Sequence, residues 1–190
     1  MIRINEKFLD YITKLEASDP SKEIIKVEAA VGTPLIKQKT NVLFVYIIKK
    51  GLTKCYLTED TGNDFIQEFF GKGEVFGELE VITGEFSFCT IEALTTVECY
   101  RIPKKAFLKL IKEDFVFNSL VMNLMATKIR YTALRHSYNQ SHIIEDRLKG
   151  LHQNIPDLFA RITKNDIANY LGVTIRSLNR AIKTSGLERS

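Results

Sequence analysis

The feature that most constrains this 190-residue chain is an abrupt change of pattern at Pro103. Between about residues 23 and 102, short β-branched or aromatic runs alternate with Gly, Asn and Asp, as in an antiparallel barrel or sandwich. Residues 104–138 contain neither Gly nor Pro, so two helices are expected there, with a joint near residues 112–114. The pattern predicts an α+β fold: a β-rich first half followed by a helical second half.

Composition narrows the class of protein further. Hydrophobic residues make up 45% and charged residues 26%, as in ordinary globular domains. The most apolar run, residues 42–48, is far too short to cross a bilayer. The N-terminus has no apolar signal-peptide core and is instead expected to form an amphipathic helix. The apolar side of that helix would carry Ile4, Phe8, Leu9, Ile12 and Leu15.

The three cysteines, Cys55, Cys89 and Cys99, are odd in number and widely spaced. They fit neither a disulfide framework nor a zinc site, and a cysteine in a β-run is usually a small buried apolar residue. A reducing cytoplasm is the simplest expected location.

Charge is distributed unevenly along the chain. Residues 1–103 carry 12 basic and 16 acidic side chains, whereas residues 104–190 carry 15 basic and 7 acidic ones. A basic second half indicates a polyanion as a partner for that half.

The predicted long helix, residues 115–138, has apolar residues at intervals of three, four or seven, as in a helix that pairs with a second copy of itself. The residues expected in that dimer interface are Phe117, Leu120, Leu124, Tyr131 and Leu134, with Tyr138 continuing the stripe. Thr127 and Lys128 interrupt the stripe. A helix that packs only on its own β-domain is the alternative.

Residues 162–186 have the pattern of a helix-turn-helix unit. Thr163 can cap the first helix, with Asp166 completing a capping box, and Gly172 can end that helix in the left-handed conformation. Thr174 can then cap a second helix. On this second helix Ile175, Leu178, Ala181 and Ile182 fall on one side and are expected to be buried.

The opposite side of the second helix is polar, basic and free of acids. It carries Arg176, Ser177, Asn179, Arg180 and Lys183. Arginine suits guanine edges or phosphates, asparagine can pair with adenine, and lysine and serine contact phosphates. The pattern predicts a recognition helix for double-stranded DNA.

Three segments carry a resemblance to a known family. "FFGKGEVFGEL" (69–79) resembles the glycine-rich turn of a cyclic-nucleotide-binding-type barrel, "IEDRLKGL" (144–151) resembles a helix entering a DNA-binding domain, and "ITKNDIANYLGVTIRSLNRAIK" (162–183) resembles a DNA-reading unit. Together they resemble the CRP/FNR superfamily of bacterial transcription regulators over nearly the whole chain.

The resemblance implies three parts: a sensor domain at 1–112, a dimerisation helix and hinge at 113–140, and a DNA-binding domain at 141–190. It implies base or phosphate contacts for Arg176, Ser177 and Arg180. Thr163 and Lys164 fall where the family grips the DNA backbone, and Thr174 belongs to the same surface. The resemblance implies a homodimer that binds an inverted-repeat operator. A contact with RNA polymerase is a further partner that it implies.

Two departures from the family are visible. Only six residues follow Thr184, too few for the two-stranded wing that usually follows the second helix, so either the wing is absent or the sequence is truncated. No cysteine precedes Cys55, so no iron–sulfur cluster, and no other cofactor, is expected.

The predicted ligand cup lacks a cation for a phosphate. The residues assigned to it are Phe76, Gly77, Glu78, Leu79, Ser87 and Phe88, with Arg130 as a cation that could arrive from the long helix. By the resemblance Glu78 would accept a ribose hydroxyl, and Ser87 falls where the family's phosphate-binding arginine lies. Between Gly73 and Tyr100 there are six glutamates and no Lys or Arg. We therefore expect weak or no binding of cyclic AMP or cyclic GMP, and a cup that is empty, filled by Phe86 and Phe88, or suited to a less anionic ligand.

No enzyme is predicted, because the three histidines have neither a partnered nucleophile nor metal-ligand spacing. The competing function is a regulatory module that acts through protein partners and retains a vestigial helix-turn-helix.

Overall fold

A computed structural model describes residues 2–18, 23–60, 62–155 and 157–187. The strands are β1 (Ile2–Arg3), β2 (Ile25–Ala29), β3 (Pro34–Ile36), β4 (Phe44–Lys50), β5 (Thr53–Thr58), β6 (Asp64–Phe70), β7 (Val75–Phe76), β8 (Thr90–Ala93) and β9 (Val97–Pro103). The helices are α1 (Glu6–Ser18), α2 (Glu78–Thr83), α3 (Lys104–Glu113), α4 (Phe115–Ser141), α5 (Ile144–Asn154), α6 (Leu158–Arg161), α7 (Lys164–Leu171) and α8 (Ile175–Ser185). No helix within these ranges is both long and apolar enough to cross a membrane.

The strands form two sheets, in the orders β1-β6-β5-β8-β3 and β2-β9-β4-β7. Every pairing is antiparallel except that of β1 with β6. The α+β class with a β-rich sensor-type domain followed by helices is therefore confirmed. Strands β1, β3 and β7 were not predicted, because two or three residues are too few to show an alternating pattern.

The first core lies between the two sheets and is covered by α1, α3 and the first half of α4. Phe117 of α4 meets Phe8 of α1 and Phe107 of α3, with ring centroids 5.7 and 5.3 Å apart. Within α1, Phe8, Leu9 and Ile12 are buried as predicted. Ile4 is 61% exposed because it precedes the helix and does not share its apolar face.

A second core joins the β-domain to the C-terminal helices. Leu52 of the turn before β5 and Ile66 and Phe69 of β6 are buried in one cluster with Leu148 of α5 and Leu178 of α8. The sheet that contains β5 and β6 is thus covered on one side by the first core and on the other by the helix-turn-helix region.

Candidate sensor pocket and nucleic-acid interface

The turn before α2 has the geometry that its glycine requires. Gly77 has φ +88°, and a Cβ there would lie 2.6 Å from the carbonyl oxygen of Phe44. Only glycine avoids both the strained conformation and this clash. The turn starts α2 at Glu78, whose side chain is directed inward and is 1% exposed.

A lysine from α4 occupies the region next to Glu78. The Lys128 ammonium lies 2.5 Å from Glu78 Oε1, donates to the carbonyl oxygen of Val75 at 2.7 Å, and lies 3.6 Å from Glu74 Oε1. Arg3 also pairs with Glu74, at 3.0 Å. Burial raises the pKa of Glu74, and the charges of Lys128 and Arg3 act against that rise. Glu74 and Glu78 are therefore already paired with cations of the same chain.

Ser87, expected at the phosphate position, is also committed to internal contacts. Its hydroxyl lies 3.0 Å from Glu80 Oε1 and 2.8 Å from the carbonyl oxygen of Cys89. Both neighbours are acceptors, so the single hydroxyl hydrogen is used between them. Ser87 is 2% exposed and presents no donor to an incoming anion.

Several other predicted cup residues lie elsewhere. Phe76 is buried and stacks on Tyr46, with ring centroids 5.2 Å apart. The expectation that Phe86 and Phe88 fill the cup is wrong: they are 68% and 51% exposed. The inward position between them is taken by Ser87, and alternate residues of an extended segment point in opposite directions. Leu79 is also exposed, at 40%.

The cation that reaches the cup is Lys128 rather than Arg130, which is exposed. Lys128 was not among the predicted site residues, because it was interpreted as an interruption of a dimer stripe. Its position four residues after Leu124 puts both side chains on the same inward face of α4. A lysine on an inward apolar face, opposite an acid-rich turn, is the signal that could have identified it.

Two of the five residues predicted in the dimer interface are buried within the chain itself. Phe117 and Leu124 are 0% and 2% exposed, since they pack in the chain's own first core. Leu120 and Tyr131 are half-buried, and Leu134 is 55% exposed. Phe117 and Leu124 therefore face the chain's own β-domain, whereas the interface role of Leu120, Tyr131 and Leu134 stays a prediction.

The opposite face of α4 is also apolar and is exposed. Met122 and Ile129 are 64% and 72% exposed, and the exposed residues Ala126 and Ala133 lie between and beyond them. The intervals of four, three and four residues are those of a coiled-coil seam. We call Met122, Ala126, Ile129 and Ala133 the outer seam.

The helix-turn-helix forms with the predicted caps. Thr163 Oγ1 accepts the amide of Asp166 at 3.1 Å, and Gly172 ends α7 with φ +64°. Thr174 Oγ1 accepts the amide of Ser177 at 3.1 Å and starts α8. A capping box would also have the Asp166 carboxylate accept from the backbone amide of Thr163. Instead, this carboxylate accepts from the Thr163 hydroxyl and pairs with Lys54.

Helix α8 separates into a buried and an exposed side, as its pattern predicts. Leu178, Ala181 and Ile182 are buried, but Ile175 is 44% exposed because it lies in the first turn, at the edge of the second core. The side chains of Arg176, Asn179, Arg180 and Lys183 are exposed and that of Ser177 is half-buried. Lys164 of α7 donates to Asn179 Oδ1 at 3.2 Å, so these two predicted contact residues also bind each other.

Polar contacts fasten the helix-turn-helix to the β-domain. Lys54 of β5 lies 2.9 Å from Asp166 Oδ1 and 3.4 Å from Glu92 Oε1. Arg135 of α4 lies 3.8 Å from Glu68 of β6. Burial raises the pKa of Glu68 to about 7, and the charge of Arg135 opposes that rise. The contact between Arg135 of α4 and Glu68 of β6 therefore depends on the charge state of the Glu68 carboxyl group.

Comparisons with known proteins agree with this architecture. The family model of the cyclic nucleotide-binding domain matches residues 26–114. The fumarate and nitrate reduction regulatory protein of Vibrio cholerae is 25% identical over 190 residues, covering 94% of this chain and 73% of that protein. Two further relatives are 26% and 24% identical to this chain, which spans 64% and 63% of their respective lengths.

Two solved structures share the fold. A transcriptional regulator of the CRP/FNR family from Eubacterium rectale has a TM-score of 0.75 at 17% identity, covering 97% of this chain and 85% of that one. FixK2 from Bradyrhizobium japonicum has a TM-score of 0.74 at 18% identity, with coverages of 87% and 85%.

The chain thus combines a cyclic-nucleotide-binding-type β-domain, a long helix and a C-terminal helix-turn-helix. Residues 26–114 match the cyclic nucleotide-binding domain, and the chain is similar in sequence to the Vibrio cholerae regulator and in fold to solved regulators of the CRP/FNR family.

Proposed function

We propose that this chain regulates transcription by binding double-stranded DNA as a homodimer. The observation that carries the proposal is the exposed basic face of α8, which contains no acidic residue. An exposed, acid-free face on the second helix of a helix-turn-helix suits the major groove, where the phosphates supply affinity and base edges supply specificity.

The side chains of this surface have separate roles. Arg176 and Arg180 offer guanidinium forks to guanine or phosphate, and Lys183 and Lys164 offer ammonium groups to phosphate. Asn179 is suited to adenine once its amide oxygen is released by Lys164. Thr163, Thr174 and Ser177 hold the starts of α7 and α8 and bring their hydroxyls towards the DNA backbone. These eight residues form the proposed DNA interface.

The DNA experiment selects bound duplexes from a random pool, because the operator is unknown, and then measures fluorescence anisotropy at several salt concentrations. We expect Arg180→Ala to weaken specific binding by about 1–3 kcal/mol and to relax preference at one base pair. Lys105→Ala, a loss of positive charge at an exposed position on α3, is the matched control and should leave affinity unchanged. Unchanged affinity after replacing both Arg176 and Arg180 by Ala would remove the proposal.

Dimerisation is proposed through the outer seam of α4 rather than through the stripe predicted from the sequence. Its large side chains, Met122 and Ile129, are mostly exposed in one chain, and a second copy presents the same 3–4 spacing. A two-fold symmetric pair would place its α8 helices about 34–36 Å apart, which calls for an inverted-repeat operator.

The oligomeric state is measured by sedimentation at micromolar concentration. Ile129→Glu places charges at the centre of the outer seam and should give a folded monomer. Thr127→Glu, at an exposed position of α4 outside the seam, should leave the dimer intact. A monomeric wild-type protein, or a dimer that survives Ile129→Glu, would contradict this interface.

Cyclic AMP and cyclic GMP are not proposed as effectors. A cyclic phosphate would need Lys128 to leave Glu78, and it would meet a Ser87 hydroxyl whose hydrogen is already used. Leaving buried carboxylates without their cation is costly. Calorimetric titration of each nucleotide tests this, and a dissociation constant at or below about 10 μM would overturn it.

A further inference from the structure

Two cysteines that are far apart in the sequence lie next to each other in the first core. The Sγ atoms of Cys55 and Cys89 are 3.0 Å apart, and both residues are free thiols. Cys55 belongs to β5, where it pairs with Ile91 of β8, and Cys89 immediately precedes β8. The two residues are 5% and 4% exposed. The third cysteine, Cys99, is on β9 in the other sheet.

The separation of the two sulfurs is close to what a covalent bond needs. A disulfide has a sulfur–sulfur distance of about 2.05 Å, so the pair must approach by roughly 1 Å. Cys89 ends the irregular segment of residues 84–89, which is outside the β5–β8 ladder. Backbone hydrogen bonds hold the segment at Ser87, to Lys39 and Thr40, but Cys89 itself is outside the β5–β8 ladder, so it can shift towards Cys55 without disrupting that ladder.

We propose that Cys55 and Cys89 form a dithiol site that a peroxide oxidises to an intramolecular disulfide. One thiolate attacks a peroxide oxygen, the O–O bond breaks, and a sulfenic acid and water are formed after proton transfer. The second thiolate attacks the sulfenic sulfur and expels hydroxide, which takes up a proton. In total two thiols and one hydrogen peroxide give one disulfide and two waters.

The surroundings of the pair set the conditions for this reaction. The neighbouring Cys89 thiol and burial raise the pKa of Cys55 well above its ordinary value. Among the charged groups that face Cys55, Lys128 acts to lower its pKa and Glu68 acts to raise it. The thiolate is the nucleophile, so oxidation is slow at neutral pH and accelerates as the pH rises. Entry of the peroxide requires opening of the segment at Phe88, which is already 51% exposed.

The disulfide would join two parts of the molecule with different contacts. Cys89 supplies the carbonyl oxygen that faces the Ser87 hydroxyl. Cys55 follows Lys54, whose ammonium pairs with Asp166 of the helix-turn-helix. A covalent link between the two cysteines therefore restrains both the cup and the strand that contacts α7.

The test needs no DNA, so its outcome is independent of the proposed function. The reduced full chain is treated with hydrogen peroxide, quenched with an alkylating reagent in denaturant, and analysed by intact mass and by non-reducing peptide mapping. We expect the wild type to lose two hydrogens, to take one alkyl label instead of three, and to yield a linked peptide pair containing Cys55 and Cys89. The rate should rise about tenfold per pH unit between about pH 7 and 9.

Three variants complete the experiment. Cys99→Ser is the matched control: it should oxidise at the wild-type rate and then take no label. Cys55→Ala and Cys89→Ala should each form no intramolecular link. Retention of three labels in the wild type, sulfinic acid at either cysteine without a link, or links only between chains would overturn the proposal. Because the decisive measurement is made on the wild type, it does not depend on the variants being well folded.

Discussion

Replacing Lys128 by Met tests whether the cation from α4 is the internal partner of the sensor pocket. Methionine keeps the unbranched apolar stem of lysine and removes the charge. Glu78 and Glu74, which are 1% and 2% exposed, then lose the ammonium 2.5 and 3.6 Å away, and the Val75 carbonyl loses its donor. Removing one partner of a buried ion pair costs about 3–5 kcal/mol because the other charge stays buried and unpaired.

The structure favours the lower end of that range for the Lys128 variant. The Lys128 side chain is 14% exposed, so water screens part of the interaction, and Arg3 still pairs with Glu74. We therefore expect a loss of about 3 kcal/mol in the free energy of unfolding. Small domains have about 5–15 kcal/mol in total, so the variant should remain folded.

The assay is urea unfolding at pH 7.5 and moderate salt, with equal slopes for all variants. Arg130→Met is the matched control: the same substitution, two residues further along α4 at an exposed position, should change stability by less than about 0.5 kcal/mol. Adding Glu78→Gln to Lys128→Met should restore part of the loss, because it removes the stranded charge. The loss should also shrink at acid pH as Glu74, whose pKa burial raises, becomes neutral. If Lys128→Met falls within 1 kcal/mol of Arg130→Met, Lys128 is not the internal counter-ion.

Three further changes test other parts of the structure. The pKa of Glu68 in the folded state is about 7, above its ordinary value of 4.5, so the folded state binds this proton more tightly than the unfolded state. The free energy of unfolding should therefore fall by up to about 3 kcal/mol as the pH rises from about 4.5 to 7. Glu68→Gln should abolish this pH dependence in unfolding measurements across that range, and a pH dependence that persists in the variant would contradict the assignment. Gly172→Ala should cost about 1 kcal/mol, because alanine disfavours φ +64° although its Cβ would meet only Phe65 at 3.8 Å, and Gly172→Asn should cost less. Phe117→Ala should cost about 3–5 kcal/mol in unfolding experiments, since the ring is fully buried; a cost below 1 kcal/mol would show that the ring is not part of the chain's own core.

The parts of the fold that depend on local signals could be predicted from the sequence. The helix-turn-helix is set by neighbours three or four residues apart: Thr163 and Thr174 accept the first amides, and Gly172 takes the left-handed conformation. The Gly, Asn and Asp residues between apolar runs likewise indicated the longer strands. The charged segment at residues 112–114 indicated the joint at Asp114, whose carboxylate caps α4. Such features require no knowledge of what packs against them.

The choice between two apolar faces of α4 could not be made from periodicity. The face with Phe117 and Leu124 and the face with Met122 and Ile129 both repeat at helical spacing, and only the three-dimensional position of the sheets decides which is internal. The same limit hid Lys128, because its partner Glu78 is 50 residues away in the sequence.

The sheet that contains β5 and β6 borders both hydrophobic cores. Along it, Cys55 and Phe70 belong to the interior of the β-domain, whereas Leu52, Ile66 and Phe69 belong to the core beneath α5, α7 and α8. A truncation that removes the C-terminal helices would uncover those three apolar residues, even though it would cut outside every strand. We therefore expect substitutions in this sheet to affect both the β-domain and the C-terminal helices, and the C-terminal helices to contribute to the stability of the β-domain.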